Sequence, residues 1–304
     1  MKALNLGCAY SVQFSPDGTR LAVLGRDLIF WDVAARQKLW RCKPVPHCSA
    51  MAFSPDGSQL AVKSTTGLLA VVDAASGDMV VNFRNKKDGE GSGPAWSPCG
   101  RYIADGGWNG RLQVREAATG KVVFAQEHPG EMLRGAYAID GGQRLLVLHG
   151  VKSVEEGQVQ PPDYVTAWDW PFQAGAGRTV LSLPGLSSIA ASPDGQRLAA
   201  LHRLDGSEQL SVFALVDGKL LASTPVGQGG GTGNALCWSP DGSTAGRIGK
   251  GKLEFYGWPG LALRHELPFI YPCALAFLPG TPLVAIGSWE KGALMELELN
   301  EETI

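Results

Sequence analysis

Histidine is the residue type in this chain with the widest chemical range, and two histidines recur in matching contexts. His149 ends the run "LLVLH" and His202 ends the run "LAALH". An imidazole can ligate a metal or change charge near neutral pH. A metal centre needs three or more convergent ligands, and the sequence offers only this loose pair, with Asp205 and Glu208 beside His202. The expectation is therefore two half-buried histidines hydrogen-bonded to loop backbone, with a pH-sensitive rim as the alternative. No other catalytic pattern holds. There is no G-x-S-x-G nucleophile elbow, no H-E-x-x-H zinc helix and no calcium loop of alternating carboxylates. "GQGGGTGN" at 227–234 lacks the Gly-Lys-Ser/Thr of a phosphate-binding loop and reads as a link. The six cysteines are scattered without a CxxC pair, so they read as reduced thiols rather than a disulfide framework. No catalytic residue, cofactor or metal is expected.

The elements that position these residues are set by a repeat. "SPDG" occurs at Ser15, Ser54, Ser192 and Ser239, and "SPCG" at Ser97. Pro fixes φ for position i+1 of a type I turn, with Ser at i and Gly at i+3 completing its preferences. A short apolar strand ending in an aromatic precedes each turn: Phe14, Phe53, Trp96 and Trp238. An alternating strand follows ("TRLAVLG", "SQLAVKS", "RYIADGG", "QRLAALH"), which predicts a half-buried β-strand. A third strand comes next, such as "LIFWDV" or "LLAVVDA", then a small turn and a fourth strand. Weaker copies begin at Ala136 and Ala274. The seven turns start near residues 15, 54, 97, 138, 192, 239 and 278, a period of about 40–50 residues. Four strands per period predict an all-β, seven-bladed β-propeller of four-stranded antiparallel blades, one domain over 1–304. The last repeat lacks its fourth strand. "KALNL" at Lys2–Leu6 supplies one, so the ring is expected to close by an N-terminal strand in the last blade.

These motifs resemble the WD-repeat family over nearly the whole chain. "FWDV" at 30–33 and "AWDW" at 167–170 carry the Trp-Asp pair; the family's Gly-His dipeptide is absent, with only Glu127-His128 at a comparable distance before a first strand. The other third strands lack Trp-Asp. The SPDG-rich style is similar to the propeller of the Tol translocation system and related bacterial propellers. The resemblance implies that the residue before the b–c turn contacts partners; here Arg26, Thr65, Trp108 and Trp289 fill that position.

Strand alternation places a–b and c–d turns at one end of each blade, and b–c turns and d–a links at the other. At the first end nearly all a–b turns are of the four-residue SPDG type and most c–d turns are short. Irregularity collects at the second: 151–163, 203–209, 84–93 and 226–234. Variable loops on a constant scaffold are where binding residues concentrate. Trp and Arg dominate binding hot spots, so Trp108, Trp289 and Arg26 are the candidate anchors. The competing reading folds each tryptophan over its neighbouring blade. The innermost strands begin near Tyr10, Ser49, Ser92, Leu133, Ser187, Asn234 and Cys273, and Tyr10 and Asn234 are candidates for a channel mouth.

Composition bounds the function. At 44% hydrophobic and 18% charged residues the chain can bury a large core. A net charge of −2 without a basic stripe argues against nucleic acid. No run reaches the ~18 apolar residues of a membrane span, and the start is too short and polar for a signal peptide. The expectation is a cytoplasmic, non-catalytic scaffold, monomeric on its own, that binds a protein or peptide on the b–c and d–a face. The alternatives are a channel-mouth enzyme or a small-ligand or metal-binding propeller, and a largely structural subunit.

Overall fold

The computed structural model describes residues 3–83, 90–151, 159–229 and 235–297. Every extended element in it belongs to an antiparallel sheet, and each sheet is one period of the sequence repeat. Blade 1 runs Ser11–Phe14, Arg20–Leu24, Leu28–Asp32 and Gln37–Cys42. Blade 2 runs Cys48–Phe53, Gln59–Ser64, Leu69–Asp73 and Met79–Phe83. Blade 3 runs Ala95–Trp96, Tyr102–Gly106, Arg111–Glu116 and Val122–Glu127. Blade 4 runs Glu131–Ile139, Arg144–Val151, Asp163–Asp169 and Arg178–Leu183. Blade 5 runs Ser188–Ala191, Arg197–Leu204, Ser207–Ala214 and Leu220–Pro225. Blade 6 runs Leu236–Trp238, Thr244–Gly249, Lys252–Gly257 and Ala262–Pro268. In blade 7, Pro272–Phe277 pairs with the span Leu283–Glu296, whose second half folds back on its first: the Leu297 amide bonds the Pro282 carbonyl. Leu4–Ala9 supplies the fourth strand, with Leu4 opposite Leu294 and Asn5 opposite Ala293. The architecture is the all-β, seven-bladed propeller expected from the period. Its borrowed strand reaches three residues beyond the expected Leu6.

The repeated turn has one geometry. The Gly18 amide bonds the Ser15 carbonyl at 2.8 Å, and Gly18 has φ 72°, a left-handed value that glycine adopts without strain. The Ser15 hydroxyl donates to Asp17 at 2.5 Å, and Asp17 accepts the Thr19 amide at 3.0 Å. The same serine–aspartate bond recurs at Ser54–Asp56 (2.6 Å), Ser192–Asp194 (2.5 Å) and Ser239–Asp241 (2.5 Å). In the variant turn Ser97 meets Cys99 at 3.4 Å instead. These bonds, led by the one from serine, hold each of the four aspartates below the usual carboxylate range.

The chain forms two compact units. One comprises Met1–Gly25, Phe30–Leu39 and Ser187–Ile304; the other comprises Arg26–Ile29 and Trp40–Leu186. In the second, Ala61, Leu69, Val71 and Phe83 of blade 2 pack on Trp96 and Ile103 of blade 3. Ala104, Leu112 and Val114 of blade 3 pack on Leu133, Leu145 and Val147 of blade 4. In the first, Leu201, Leu210 and Val212 of blade 5 join Trp238, Ile248 and Phe255 of blade 6 and Val284 and Ile286 of blade 7. Hence the second strands are buried on both faces, as in Gln59–Ser64, rather than half-buried as their alternation predicts. Neighbouring blades cover both sides of these strands, and the outermost strands are the half-exposed ones, as in Gln37–Cys42. The aromatic at the end of a first strand also locks blades together. Trp96 donates to the Ala52 carbonyl at 2.9 Å, and Trp238 to the Ala190 carbonyl at 3.0 Å.

Blades 2 and 3 share a buried ion pair. Lys63 Nζ lies 2.5 Å from Asp105 Oδ1 and 2.7 Å from the Gly106 carbonyl oxygen. Both side chains are nearly inaccessible to water. Lys63→Met is expected to cost about 3–5 kcal/mol in urea unfolding, because it takes a cationic partner from a buried carboxylate. A loss below 1 kcal/mol would show that Asp105 does not need the ammonium. Deleting residues 1–7 uncovers Leu294 and removes the buried Leu6. Leu6 alone accounts for about 1.5–3 kcal/mol of burial; an unchanged unfolding midpoint would refute the role given to this strand.

Candidate functional site

Blade 7 carries a cluster of exposed aromatic and aliphatic side chains on a bonded backbone. Trp289 begins its b–c turn and is 52% exposed. Its ring packs on Tyr10, which lies between the borrowed strand and blade 1, with centroids 4.6 Å apart and planes at 42°. The Trp289 amide bonds the Tyr271 carbonyl at 3.2 Å, placing the d–a link beside the indole. Tyr271 is 62% exposed and Ile270 64%. The buried Ser288 hydroxyl donates to the Ile270 carbonyl at 2.8 Å and accepts the Glu290 amide at 3.0 Å. Tyr271 has φ 45°, the left-handed region that a bulky side chain rarely occupies. Such strain persists only where surrounding bonds enforce it. Here the bonds through Ser288 and Trp289 do so, and they hold two large apolar side chains toward water.

The other sequence-derived positions divide clearly. The Thr65 amide bonds the His47 carbonyl at 2.9 Å, and the Trp108 amide bonds the Glu90 carbonyl at 2.7 Å. These match the bond at Trp289, so the three residues are structurally equivalent. Lys250, whose amide bonds the Gln228 carbonyl at 3.2 Å, is a fourth such residue that the sequence reading missed. Its blade lacks the b–c turn signature of the others. Thr65 and Arg26 are exposed. Arg26 precedes Asp27, which pairs with Arg41 at the outer strand of the same blade. Trp108 is 45% exposed and makes no ring contact among the described residues. Trp108, Thr65 and Arg26 belong to one compact unit, and Trp289 and Tyr10 to the other. Asn234 and part of the loops at 84–93, 151–163 and 226–234 lie outside the described residues.

The serines assigned to the innermost strands turn inward to their own blades. Ser49 donates to the Lys63 carbonyl, Ser92 to Gly106 and Ser187 to Leu201, at 3.3–3.4 Å. Tyr10 is engaged with Trp289 rather than standing alone.

The two histidines also part company. His202 Nε2 meets Ser211 Oγ at 2.8 Å, and Nδ1 meets its neighbour's carbonyl at 3.4 Å. His149 Nε2 meets Thr166 Oγ1 at 2.8 Å, the equivalent bond, but its Nδ1 meets Glu131 Oε2 at 2.8 Å. His128 joins it, edge-on, with ring centroids 4.7 Å apart. Thus His149 gathers His128 and Glu131 rather than His202 around it, and the donor atoms of the three lie within 4.8 Å of one another. The sequence does hold a signal for this cluster: His128-Pro129-Gly130-Glu131 is a tight turn that sets His and Glu at its two ends.

Burial lowers the proton affinity of His128, His149 and His202, with Glu131 opposing it for the first two. Burial also raises the Tyr164 phenol, helped by its bond to Glu131.

Against known proteins, no family model matches the chain, and no curated protein matches its sequence. Among solved structures it is similar to Kuenenia stuttgartiensis hydrazine synthase, with a TM-score of 0.78 and 16% identity over 96% of each chain. At that identity the likeness shows the fold. No helix among the described residues is long and apolar enough to cross a membrane.

The histidine shifts set a pH dependence. A histidine with a depressed folded pKa stays neutral in the native state, whereas the unfolded chain takes up its proton near pH 6.5. The unfolded state binds more protons, so stability falls as pH drops below about 7. Urea unfolding at pH 7.5 and 5.5 should show lower stability at 5.5, and His202→Gln should narrow the gap. Equal stability at both pH values would contradict the assignment of these rings as neutral in the fold.

Proposed function

We propose that the chain is a non-catalytic interaction scaffold, a WD-repeat-like propeller of the SPDG-rich bacterial kind working in the cytoplasm. It holds a protein or peptide partner on the face formed by b–c turns and d–a links. The observation that carries this reading is the Tyr10–Trp289–Tyr271–Ile270 patch. Trp289, Tyr271 and Ile270 are exposed and Tyr10 half-buried, while the backbone is held by Ser288 and by a strained link. Large apolar groups on a rigid frame lose little entropy on docking, which is why Trp and Tyr concentrate at hot spots. The chemistry fits a partner segment that offers apolar side chains to the rings and hydrogen-bond acceptors to the indole and phenol groups. Trp108, Thr65 and Arg26 extend the reading to the equivalent positions of the other unit.

Affinity capture from the native source tests it with three baits: the natural chain, Trp289→Arg and Trp108→Arg, each checked for folding by circular dichroism. Trp289→Arg is expected to weaken a defined partner at least ~30-fold, the scale of a hot-spot residue. Retention of every partner by both variants would overturn the aromatic-patch reading.

A further inference from the structure

The turn that enters blade 4 brings together two imidazoles and a carboxylate. His128 to Glu131 close a four-residue turn: the Glu131 amide bonds the His128 carbonyl at 3.2 Å, with Pro129 and Gly130 (φ 81°) at its centre. The His128 amide is held by the Gly110 carbonyl at 2.7 Å, which ties the turn to blade 3. His149, fully buried, comes from the second strand of blade 4.

Each of two donors is oriented by a partner on the third strand. Thr166 Oγ1 meets His149 Nε2 at 2.8 Å and accepts the Trp168 indole N–H at 2.9 Å. In the metal-free ring Nδ1–H donates to Glu131 Oε2; Thr166 Oγ1 keeps a second lone pair, so Nε2 can carry the proton and donate to it when an ion takes Nδ1. The Tyr164 hydroxyl donates to Glu131 Oε1 at 2.6 Å, leaving Oε2 toward the histidines. Tyr164 also stacks on His149, with centroids 4.4 Å apart and planes at 7°, which fixes the ring. A histidine ligand held through its other nitrogen, and a carboxylate held through its other oxygen, are the usual outer contacts of a protein metal site.

The third donor is unsatisfied. His128 Nε2 is buried without a hydrogen-bond partner, and Nδ1 stands 3.7 Å from Glu131 Oε2, beyond hydrogen-bond reach. A buried, unpaired imidazole is costly unless something meets it. His128 and Glu131 are 13% and 20% exposed on their side chains, so one side of the cluster opens to solvent and an ion can enter.

We propose that His128, Glu131 and His149 bind one divalent transition-metal ion of the zinc class, with a fourth position left to solvent. Two imidazoles and one carboxylate suit such an ion and not calcium or magnesium, which take oxygen ligands. Bonds of ~2.0–2.2 Å in a tetrahedral shell set donors about 3.3 Å apart. The separations from Glu131 Oε2 to His149 Nδ1 and His128 Nδ1, 2.8 and 3.7 Å, bracket that value, and all three donors lie within 4.8 Å of one another, so side-chain movements of about an ångström are needed. Binding replaces the His149–Glu131 hydrogen bond with two bonds to the ion. The inference is independent of the aromatic patch, which lies on the other unit.

The full chain, freed of metal with chelator, would be titrated with Zn2+ against a chromophoric competitor, and with Co2+ for its visible d–d absorption. One equivalent of Zn2+ is expected, with a Co2+ spectrum of four-coordinate intensity. His128→Gln and Glu131→Gln, both in a partly exposed turn, should each weaken Zn2+ at least tenfold, while His202→Gln leaves it unchanged. Saturating Zn2+ should raise the melting temperature of the natural chain and not of His128→Gln. Absence of stoichiometric Zn2+ and Co2+ binding by the natural chain overturns the proposal. Equal affinity in His128→Gln and Glu131→Gln overturns it as well.

Discussion

The short turn between the first two strands of each blade governs the rest of the molecule. In blades 1, 2, 5 and 6 its serine hydroxyl closes on the aspartate two residues later, and its glycine takes the left-handed conformation that lets the second strand return in register. Copies of this turn keep that end of the blade short, apart from the longer c–d turn of blade 4 at 170–177. Most variation in chain length falls on the b–c turns and d–a links. The aromatic patch and the His128–Glu131–His149 cluster both arise there, and neither could be built at the serine–aspartate end without breaking the register of the strands behind it.

Burial of the second strands on both faces raises a second constraint. Polar residues that end these strands are shut away from water and must find partners inside the protein. Each blade does this differently. Lys63 reaches across to Asp105 of the next blade. Arg247 bonds Glu254 within its sheet and Glu208 of the preceding blade, at 2.7 Å for the latter. His149 and His202 take hydroxyls from the adjoining strand, Thr166 and Ser211. His149 differs from His202 in having a second ring nitrogen engaged by a carboxylate from another element, and that difference makes it a chemical site.

The turn, the period and the borrowed N-terminal strand were legible in the sequence because each is a local pattern or a missing element. The equivalence of Thr65, Trp108 and Trp289 followed from counting along the repeat, and their backbone bonds bear it out. The burial of the second strands was misread, because alternation reports contacts within a sheet and carries no record of a blade on its other side. Tyr271 and Ile270 stayed hidden for a different reason. Their exposure depends on a left-handed backbone that a tyrosine rarely adopts, so residue type argued against it. His128 and Glu131 were separated from His149 by a whole strand. Only the pairing of Leu133 with His149 brings the turn and the ring together.

The two sites are variants of one link. The His128 amide bonds the Gly110 carbonyl, and the Phe269 amide bonds the Gly251 carbonyl, so the link entering blade 4 and the link entering blade 7 share an anchor. Two residues on, Gly130 and Tyr271 occupy the same left-handed position. With glycine there, the link folds tightly enough to set Glu131 against His149 and face inward. With tyrosine there, the side chain projects outward and Trp289 packs beside the link. One backbone path thus yields a polar, half-buried cluster or an exposed aromatic surface according to a single residue. The strands hold that path constant, and the links differ in chemistry along it, with Phe269 still packed against the core of its unit.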